Sequence, residues 1–309
     1  MFENAYVSIG SLKENQYFLD NISKIAKTVD FSDIDRRPTI SELEEIVQKY
    51  EILIVGVGEK LTEEAYKKAS KLKVIGTLTI GLDHICNKFI EDKKFKIINI
   101  SNANILSVAE HTLCMILSIT KKVKLSNQAM KLNLGRKGIG ERPIELYGKT
   151  VGIIGFGKIG KRVIELLKPF GVNIIGQTNH PEKHQDLINK YGIKMVSLEE
   201  MFKTADIITI HVPLNSETEC MIDSDLLNKT KKNCIIVNTS RQGLIDMNCL
   251  YKLAESNHLY GVGLDIDIDE YGFSKLDNCY VSPHIAGGTI EAVDKIDKEL
   301  IDNMIIELL

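Results

Sequence analysis

Short apolar runs and longer segments of helical period alternate along this chain. An unbroken apolar run such as residues 52–55 or 235–237 is typical of a strand that is buried on both faces. Between such runs, apolar residues recur three or four positions apart, as at Phe18, Ile22 and Ile25, which is the period of a helix. Strands that alternate with helices predict parallel sheets with both faces covered. We therefore expect an α/β fold of doubly wound parallel sheets.

The same pattern gives approximate positions for the elements. The predicted strands are residues 5–9, 52–55, 74–75, 96–100, 150–154, 172–175, 207–212, 235–238, 262–265 and a short one at Val281. The predicted helices are residues 14–27, 43–50, 62–72, 107–131, 159–170 and 289–309. The last helix is amphipathic, so it needs a partner surface.

One of the predicted strand-helix pairs contains a glycine-rich turn. Gly155, Gly157 and Gly160 connect the strand at 150–154 to the helix at 159–170. The first glycine suits a tight turn, the second lets backbone approach a pyrophosphate, and the third lets the helix pack closely on the strand. The helix N-terminus would then face the anion. This setting predicts a dinucleotide site, and the alternative is a purely structural turn.

Length and composition narrow the class of protein. The 309 residues suffice for two domains, and 44% hydrophobic with 26% charged residues is typical of a globular chain. The net charge is −3 and the sequence has no basic run, which argues against a nucleic-acid partner. Small molecules are the expected partners.

Cysteine spacing and the apolar segments bear on metal sites and location. The six cysteines are scattered without a C-x-x-C pair, so we expect no metal site and reduced thiols in the cytoplasm. The N-terminus lacks the basic and apolar pattern of a signal peptide. The apolar segment at 105–119 contains Glu110 and His111 and is too short to span a membrane, so it reads as a buried helix.

Three stretches after the glycine turn place chemically useful side chains at or beyond strand ends. They contain Arg241, then Asp265 with Glu270, then His284. Ligands of open α/β sheets bind beyond the carboxyl ends of the strands, and a guanidinium there suits a carboxylate. Taken singly, each residue has a structural alternative, such as a solvated arginine or a structural histidine.

Together, these stretches resemble the D-isomer-specific 2-hydroxyacid dehydrogenases. The likeness runs in order over nearly the whole chain. It comprises residues 104–110 (NILSVAE), Gly148-Lys149, 155–160, the strand end at His211-Val212-Pro213-Leu214, 238–243, 265–270 and 282–289.

The resemblance implies that Arg241, Glu270 and His284 are catalytic. The implied reaction is hydride transfer between a nicotinamide and the carbonyl carbon of a small 2-oxo acid. His284 would be the general acid for reduction and the general base for oxidation, with Glu270 favouring its charged form. Arg241 would orient the substrate carboxylate and polarise the carbonyl.

The resemblance also assigns binding residues. Those implied for the cofactor are Gly155, Phe156, Gly157, Lys158, Ile159, Gly160, Thr178, Asn179, His211, Val212, Pro213, Thr239, Ser240, Arg241, Asp265 and His284. Those implied for the substrate are the backbone N–H groups of Thr79, Ile80 and Gly81, supported by Asn104, together with Arg241 and His284. By position, His84 and His111 match structural sites.

The family architecture implied is a Rossmann cofactor domain inserted in a flavodoxin-like substrate domain. The cofactor domain would be residues 100–283, and the substrate domain residues 1–99 with 284–309. The last helix would then return to the first domain. The resemblance implies a homodimer, and the helix at 105–119 could serve in the dimer or in the core.

The sequence departs from the family pattern at two places. Thr178 stands where NAD-specific members carry an Asp, and Asn179, His180 and Lys183 could contact a 2'-phosphate. We therefore expect NADP to be accepted at least as well as NAD, the alternative being NAD bound with one hydrogen bond fewer. Gly56 stands where the phosphoglycerate branch places an Arg, which favours an unphosphorylated 2-oxo acid.

Two alternative functions remain open at this point. One is a phosphoglycerate dehydrogenase-type enzyme without the regulatory domain of long members. The other is a dinucleotide-sensing interaction protein of the same fold, similar to a corepressor.

Overall fold

The computed structural model describes residues 1–34 and 36–309. They form two compact units, which we call unit 1 (Met1–Asn104 with Ile290–Leu309) and unit 2 (Ile105–Thr289). Each unit contains one parallel sheet with helices between its strands. The predicted fold class, α/β with two doubly wound parallel-sheet domains, is confirmed. No helix in the described part of the chain has both the length and the apolar sequence needed to cross a membrane.

Unit 1 contains a five-stranded parallel sheet. Its strands are β1 (Phe2–Val7), β2 (Ala26–Phe31), β3 (Ile52–Val55), β4 (Val74–Thr77) and β5 (Lys96–Asn99). Its helices are α1 (Gln16–Ile22), α2 (Ile40–Lys49), α3 (Glu63–Lys68), α4 (Asn87–Glu91) and α12 (Ile290–Leu308). The spatial order of the strands is β2-β1-β3-β4-β5.

Helix α12 supplies part of the core of unit 1. Leu300, Ile301 and Met304 are completely buried and pack with the apolar side chains of the sheet. Gly76 in β4 leaves room for this packing, because a Cβ built there would lie 3.2 Å from the Sδ atom of Met304. The amphipathic helix at the end of the chain thus has its partner surface within unit 1.

Unit 2 contains a seven-stranded parallel sheet. Its strands are β6 (Thr150–Ile154), β7 (Asn173–Gln177), β8 (Lys194–Met195), β9 (Ile207–Ile210), β10 (Ile235–Asn238), β11 (Gly261–Asp265) and β12 (Cys279–Ser282). Its helices are α5 (Ile105–Thr120), α6 (Val123–Lys131), α7 (Lys158–Leu167), α8 (Gln185–Tyr191), α9 (Leu198–Thr204), α10 (Ser224–Leu227) and α11 (Met247–Glu255). The spatial order is β12-β11-β10-β9-β6-β7-β8. Strand order reverses beside β6, which pairs with β7 on one side and β9 on the other, and such a switch point creates a crevice at the carboxyl ends of the strands.

Two element predictions were wrong. The helix predicted at 107–131 is two helices, because Lys122 adopts a left-handed conformation with φ 51°. Its side chain is buried, and its Nζ lies 4.5 Å from the ring centroid of Tyr260, so a tertiary contact accompanies the break. The helix predicted at 14–27 ends at Ile22, and β2 follows as an edge strand whose mostly polar sequence gave no strand signal.

Candidate functional site

Five neighbouring strands of unit 2 end along one edge of the sheet. In spatial order they are β12, β11, β10, β9 and β6. Just beyond or at these ends lie His284, Asp265, Arg241, His211 and Gly155, respectively. Because parallel strands finish at the same edge, the fold brings five separate stretches of the sequence into one row.

The glycine turn at the end of β6 has space where a dinucleotide would approach. Gly155 has φ 93°, and a Cβ there would lie 2.6 Å from the carbonyl oxygen of His211. A Cβ on Gly160 would lie 2.1 Å from the carbonyl oxygen of Gly155. A Cβ on Gly157 would meet nothing within 4 Å, although this residue directly precedes α7. Two glycines are thus required by packing, whereas the third leaves open space at a helix N-terminus, and this cradle fits a dinucleotide pyrophosphate.

The next loop along the edge carries a neutral histidine. His211 is buried, its Nε2 lies 3.0 Å from the Oγ1 atom of Thr209, and burial lowers its pKa to about 3. The Oγ1 of Thr218 donates to the carbonyl oxygen of Pro213, which fixes the loop beyond it. The uncharged imidazole keeps the charge of this crevice constant across the neutral pH range.

Arg241 lies beyond the end of β10 on a loop fixed by its own polar side chains. The Nδ2 of Asn238 donates to the carbonyl oxygen of Arg241 at 2.8 Å, and the backbone N–H of Ser240 donates to the Oδ1 of Asn238 at 2.9 Å. The hydroxyl groups of Thr239 and Thr112 lie 2.9 Å apart, which ties this loop to α5. The half-buried Arg241 therefore extends from a well-anchored backbone.

Asp265 anchors the loop that carries His284. The carboxylate is buried and accepts hydrogen bonds from the Oγ of Ser282 and from the backbone N–H groups of Ile285 and Ala286. The Oγ of Ser107 donates to the carbonyl oxygen of Ala286 at 2.6 Å. These bonds fix the backbone of the residues that follow His284. His284 itself has φ 51°, in the left-handed region.

The imidazole of His284 has a carboxylate neighbour other than the one expected. Its Nδ1 lies 3.1 Å from the Oδ2 of Asp267. Glu270, the carboxylate implied by the resemblance, is exposed, and no hydrogen bond or ion pair involves it within residues 1–34 and 36–309. The structure thus places Asp267, rather than Glu270, beside this ring nitrogen.

The loop after β4 in unit 1 presents donors suited to an anion. The Oγ1 of Thr79 donates to the carbonyl oxygen of Gly81, and the Nδ2 of Asn99 donates to that of Ile80. In the described part of the chain, no hydrogen bond uses the backbone N–H groups of Thr79, Ile80 or Gly81. The Oδ1 of Asn104 is buried and also lacks a hydrogen-bond partner among the described residues.

An arginine that sequence reasoning overlooked lies at the neighbouring strand end of unit 1. The guanidinium of Arg37 lies across Gly58, where a Cβ would come within 1.7 Å of its Nη1. Gly58 follows β3, the strand beside β4. No hydrogen bond or ion pair of the described residues engages Arg37, whereas the adjacent Arg36 pairs with Glu42. The loop that has Gly56 in place of an arginine therefore has a guanidinium from another segment.

Positive side chains act on His184, which follows Thr178 by six residues along the chain. Burial and then the charge of Lys161 lower the pKa of His184, with Lys183 acting in the same direction. Opposing them, Glu182 pairs with His180 at 3.2 Å.

The other two histidines singled out in the sequence have structural contacts. The Nε2 of His84 lies 3.0 Å from the Oγ1 of Thr77, and the Nε2 of His111 lies 2.9 Å from the Oγ of Ser282.

The sequence did not single out Asp267 and Ser282 as residues of the site. Pairing the two strand ends would have found them, because Asp265 lies opposite Ser282 in the parallel ladder.

Comparisons with known proteins show the family of this chain. The NAD binding domain of D-isomer specific 2-hydroxyacid dehydrogenases matches residues 113–286. Hydroxypyruvate reductase of Thermotoga maritima is 34% identical over 274 residues, which cover 86% of this chain and 88% of that protein. D-3-phosphoglycerate dehydrogenase of Methanocaldococcus jannaschii is 35% identical over 275 residues, which cover 87% of this chain and 52% of that protein. The chain therefore spans about half the length of the phosphoglycerate dehydrogenase it matches.

The fold is likewise similar to that of solved structures. Acyclic imino acid reductase in complex with NADPH and D-Arg matches with a TM-score of 0.87 and 27% identity, covering 99% of this chain and 97% of that one. The family model matches the cofactor domain, and the similar relatives match over most of the remaining sequence. The chain therefore belongs to the D-isomer-specific 2-hydroxyacid dehydrogenase family.

Proposed function

We propose that this protein is a nicotinamide-dependent dehydrogenase that interconverts a small 2-oxo acid and a D-2-hydroxy acid. The observation that carries the proposal is the row of strand ends in unit 2, where the His284 and Arg241 loops lie along the same edge as the glycine cradle. A panel of 2-oxo acids, tested with NADH and NADPH by the absorbance of the reduced nicotinamide, tests it. Binding of either cofactor without turnover of any acid would instead favour the nucleotide-sensing alternative.

In this proposal the side chains of unit 2 handle the proton and the charge. A bound nicotinamide supplies or accepts the hydride. His284 gives a proton to the carbonyl oxygen during reduction and removes it from the hydroxyl during oxidation. Arg241 holds the substrate carboxylate in its planar fork and polarises the carbonyl. Glu270 remains a proposed catalytic residue, as a further acid of the same loop region.

The proposed binding groups for the substrate carboxylate are the free N–H groups of Thr79, Ile80 and Gly81. Consecutive backbone N–H groups suit an anion, because they supply donors without carrying a full charge that must be desolvated. Asn104 supports this loop in the proposal. Its buried Oδ1 has no hydrogen-bond partner among the described residues and, as an acceptor, requires a donor rather than the carboxylate.

We infer that NADPH is used at least as well as NADH. Thr178 brings no negative charge to the end of β7, and the segment that follows carries Lys183, whose charge acts on His184 together with that of Lys161. The solved structure of acyclic imino acid reductase, a protein to which this chain is similar, contains NADPH.

We predict that Thr178→Asp lowers kcat/KM with NADPH relative to NADH by roughly tenfold or more, because a carboxylate repels the 2'-phosphate. Thr178→Asn is the matched control, since it has the same shape without the charge and should leave the ratio near that of the unmodified protein. Steady-state kinetics with both cofactors measures the ratio. A strong preference of the unmodified protein for NADH would contradict the inference.

A phosphorylated substrate is the second candidate, and the position of Arg37 favours it. The guanidinium of Arg37, which has no ion pair among the described residues, lies over Gly58 at the strand end beside the proposed carboxylate loop. A relative 35% identical to this chain is a phosphoglycerate dehydrogenase. Arg37 can therefore take the place of the arginine that is absent at Gly56. The first candidate, an unphosphorylated acid, gives Arg37 no role in binding.

For the second candidate, Arg37→Gln should lower kcat/KM for phosphohydroxypyruvate about tenfold to a hundredfold, because a charge-assisted phosphate contact is lost. Turnover of hydroxypyruvate should change little. Arg36→Gln is the control, because Arg36 pairs with Glu42. Equal effects of Arg37→Gln on both substrates would leave the unphosphorylated acid as the better assignment.

We also propose a homodimer. Helix α5 buries Ala109, Met115 and Ile116 in the core of unit 2, so this helix has a core role. Exposed apolar side chains on and after α6 offer more surface for a second copy: Val123, Met130, Leu132 and Leu134.

A further inference from the structure

Unit 1 contains a cavity of about 320 Å³ that the proposed reaction does not use. It lies among the edge strand β2, its neighbour β1 and helix α2, and its lining includes Tyr6, Asp33, Ile46 and Tyr50. A space of this size suits a small molecule. The proposed carboxylate loop follows β4, three strands away from β2 in the sheet, so the cavity is a separate place on unit 1.

The path of α2 accounts for this cavity. The helix packs Leu43, Ile46 and Val47 against apolar side chains of β3 and β4. Because α2 connects the edge strand β2 to β3, its packing surface is directed away from β2, and Thr28 and Asp30 of that strand stay exposed. A space therefore remains between the helix and the edge of the sheet.

Two tyrosine rings form part of the lining, and their centroids lie 5.3 Å apart. The hydroxyl of Tyr6 lies 2.9 Å from the Oγ of Ser32, and that of Tyr50 donates to the Oδ2 of Asp30 at 2.7 Å. Burial and then this bond to Asp30 raise the pKa of Tyr50 to about 12, so the phenol stays neutral. With both hydroxyl groups engaged, the ring surfaces are left to contact a ligand, and such surfaces attract cations.

The charged side chains of the lining carry one negative charge in excess. Arg36 pairs with Glu42, and the Nζ of Lys49 lies 3.4 Å from the Oε2 of Glu45. Asp33 is exposed, and within residues 1–34 and 36–309 its carboxylate has no hydrogen bond or ion pair. An anionic ligand would meet this carboxylate and two cations that already have partners. A cationic ligand would meet Asp33 and the rings.

We propose that this cavity is a binding site for a small organic cation, an amine with an apolar body. Its ammonium group would lie beside Asp33 and the tyrosine rings, and its apolar part would pack on Ile46. The inference goes beyond the proposed function and does not rest on it, because binding of the amine requires no turnover.

Three ligands that share a phenyl ring test the charge of the occupant. They are 2-phenylethylamine, which is protonated at neutral pH, 2-phenylethanol, which has the same skeleton without the charge, and phenylacetate, which is an anion. Each is titrated into the full chain without cofactor and followed by ligand-observed NMR. We expect a Kd of about 0.1–1 mM for the amine, about tenfold weaker binding of the alcohol, and no binding of phenylacetate.

Four variants locate the bound amine: Asp33→Asn, Tyr50→Leu, Tyr50→Phe and Asp20→Asn. Asp33→Asn should weaken amine binding about threefold to tenfold, since it removes an exposed charge, and should leave binding of the alcohol unchanged. Tyr50→Leu should weaken amine binding by a similar factor, whereas Tyr50→Phe keeps the ring and should bind the amine nearly as well as the unmodified chain. Asp20→Asn is the matched control, because Asp20 is an exposed acid on α1 outside the lining, and it should change nothing.

Equal affinities of the amine and the alcohol would overturn the proposal, as would absence of amine binding or a loss in Asp33→Asn no larger than in Asp20→Asn. Circular dichroism and thermal unfolding check that each variant is folded. Should Tyr50→Leu fail to fold, Asp33→Asn decides alone, because it changes an exposed carboxylate to an amide of the same shape. Absence of turnover with every 2-oxo acid would count against the proposed function and would leave this titration valid.

Discussion

Replacing His284 with Ala is expected to lower kcat for reduction of the best 2-oxo acid by about 10²- to 10⁴-fold, because the proposed proton donor is removed. Reduction by the unmodified protein should slow as pH rises, since it needs the protonated imidazole. Oxidation should slow as pH falls, since it needs the neutral ring. Steady-state kinetics in both directions measures these effects.

A second histidine of unit 2 provides the control for that experiment. The Nε2 of His258 lies 2.8 Å from the carbonyl oxygen of Thr230, and this residue precedes β11 rather than following it. His258→Ala removes an imidazole from the opposite edge of the sheet, so it should leave kcat within about twofold of the unmodified value. Turnover that survives His284→Ala unchanged would remove the proposed proton donor.

The other large effect is expected in the glycine turn, where substitution of Gly157 should weaken cofactor binding and substitution of Gly160 should lower stability. Gly157→Ala puts a methyl group into open space and should leave the unfolding transition unchanged, yet raise the KM for the cofactor roughly tenfold or more. Gly160→Ala drives a Cβ into the carbonyl oxygen of Gly155 and should cost about 1–3 kcal/mol of stability.

Thermal unfolding without cofactor, together with cofactor titration, separates the two outcomes. Gly140→Ala is a control for surface glycines, since a Cβ there also meets nothing within 4 Å, although its φ of 73° adds some strain. If Gly157→Ala bound cofactor as tightly as the unmodified chain, the open space beside α7 would not be where the pyrophosphate lies.

Local periodicity was sufficient to predict the central strands and the glycine turn. Strand β3 is entirely apolar, β10 is apolar up to its last residue, Asn238, and both are buried on both faces, so an apolar run is enough to predict them. The edge strand β2 and the break at Lys122 depend on neighbours distant in sequence, namely β1 and Tyr260. Local patterns contain no information about such contacts.

The candidate site divides in the same way. The residues that belong to family motifs could be named from the sequence, since the motifs and their order along the chain are properties of the sequence alone. The contact between Asp267 and His284 depends on the register of β11 against β12, and that of Arg37 with Gly58 on the path of a loop. Both contacts depend on the tertiary structure, so they could not be predicted from sequence motifs.

The burial of α12 in unit 1 has a consequence for the order of assembly. As the polypeptide leaves the ribosome, the five strands of the first sheet emerge long before Leu300, Ile301 and Met304 can cover them. Every strand of the second sheet, in contrast, precedes that helix. A nascent chain can therefore complete unit 2 while unit 1 still exposes an apolar face, which α12 covers only after the whole of unit 2 has emerged.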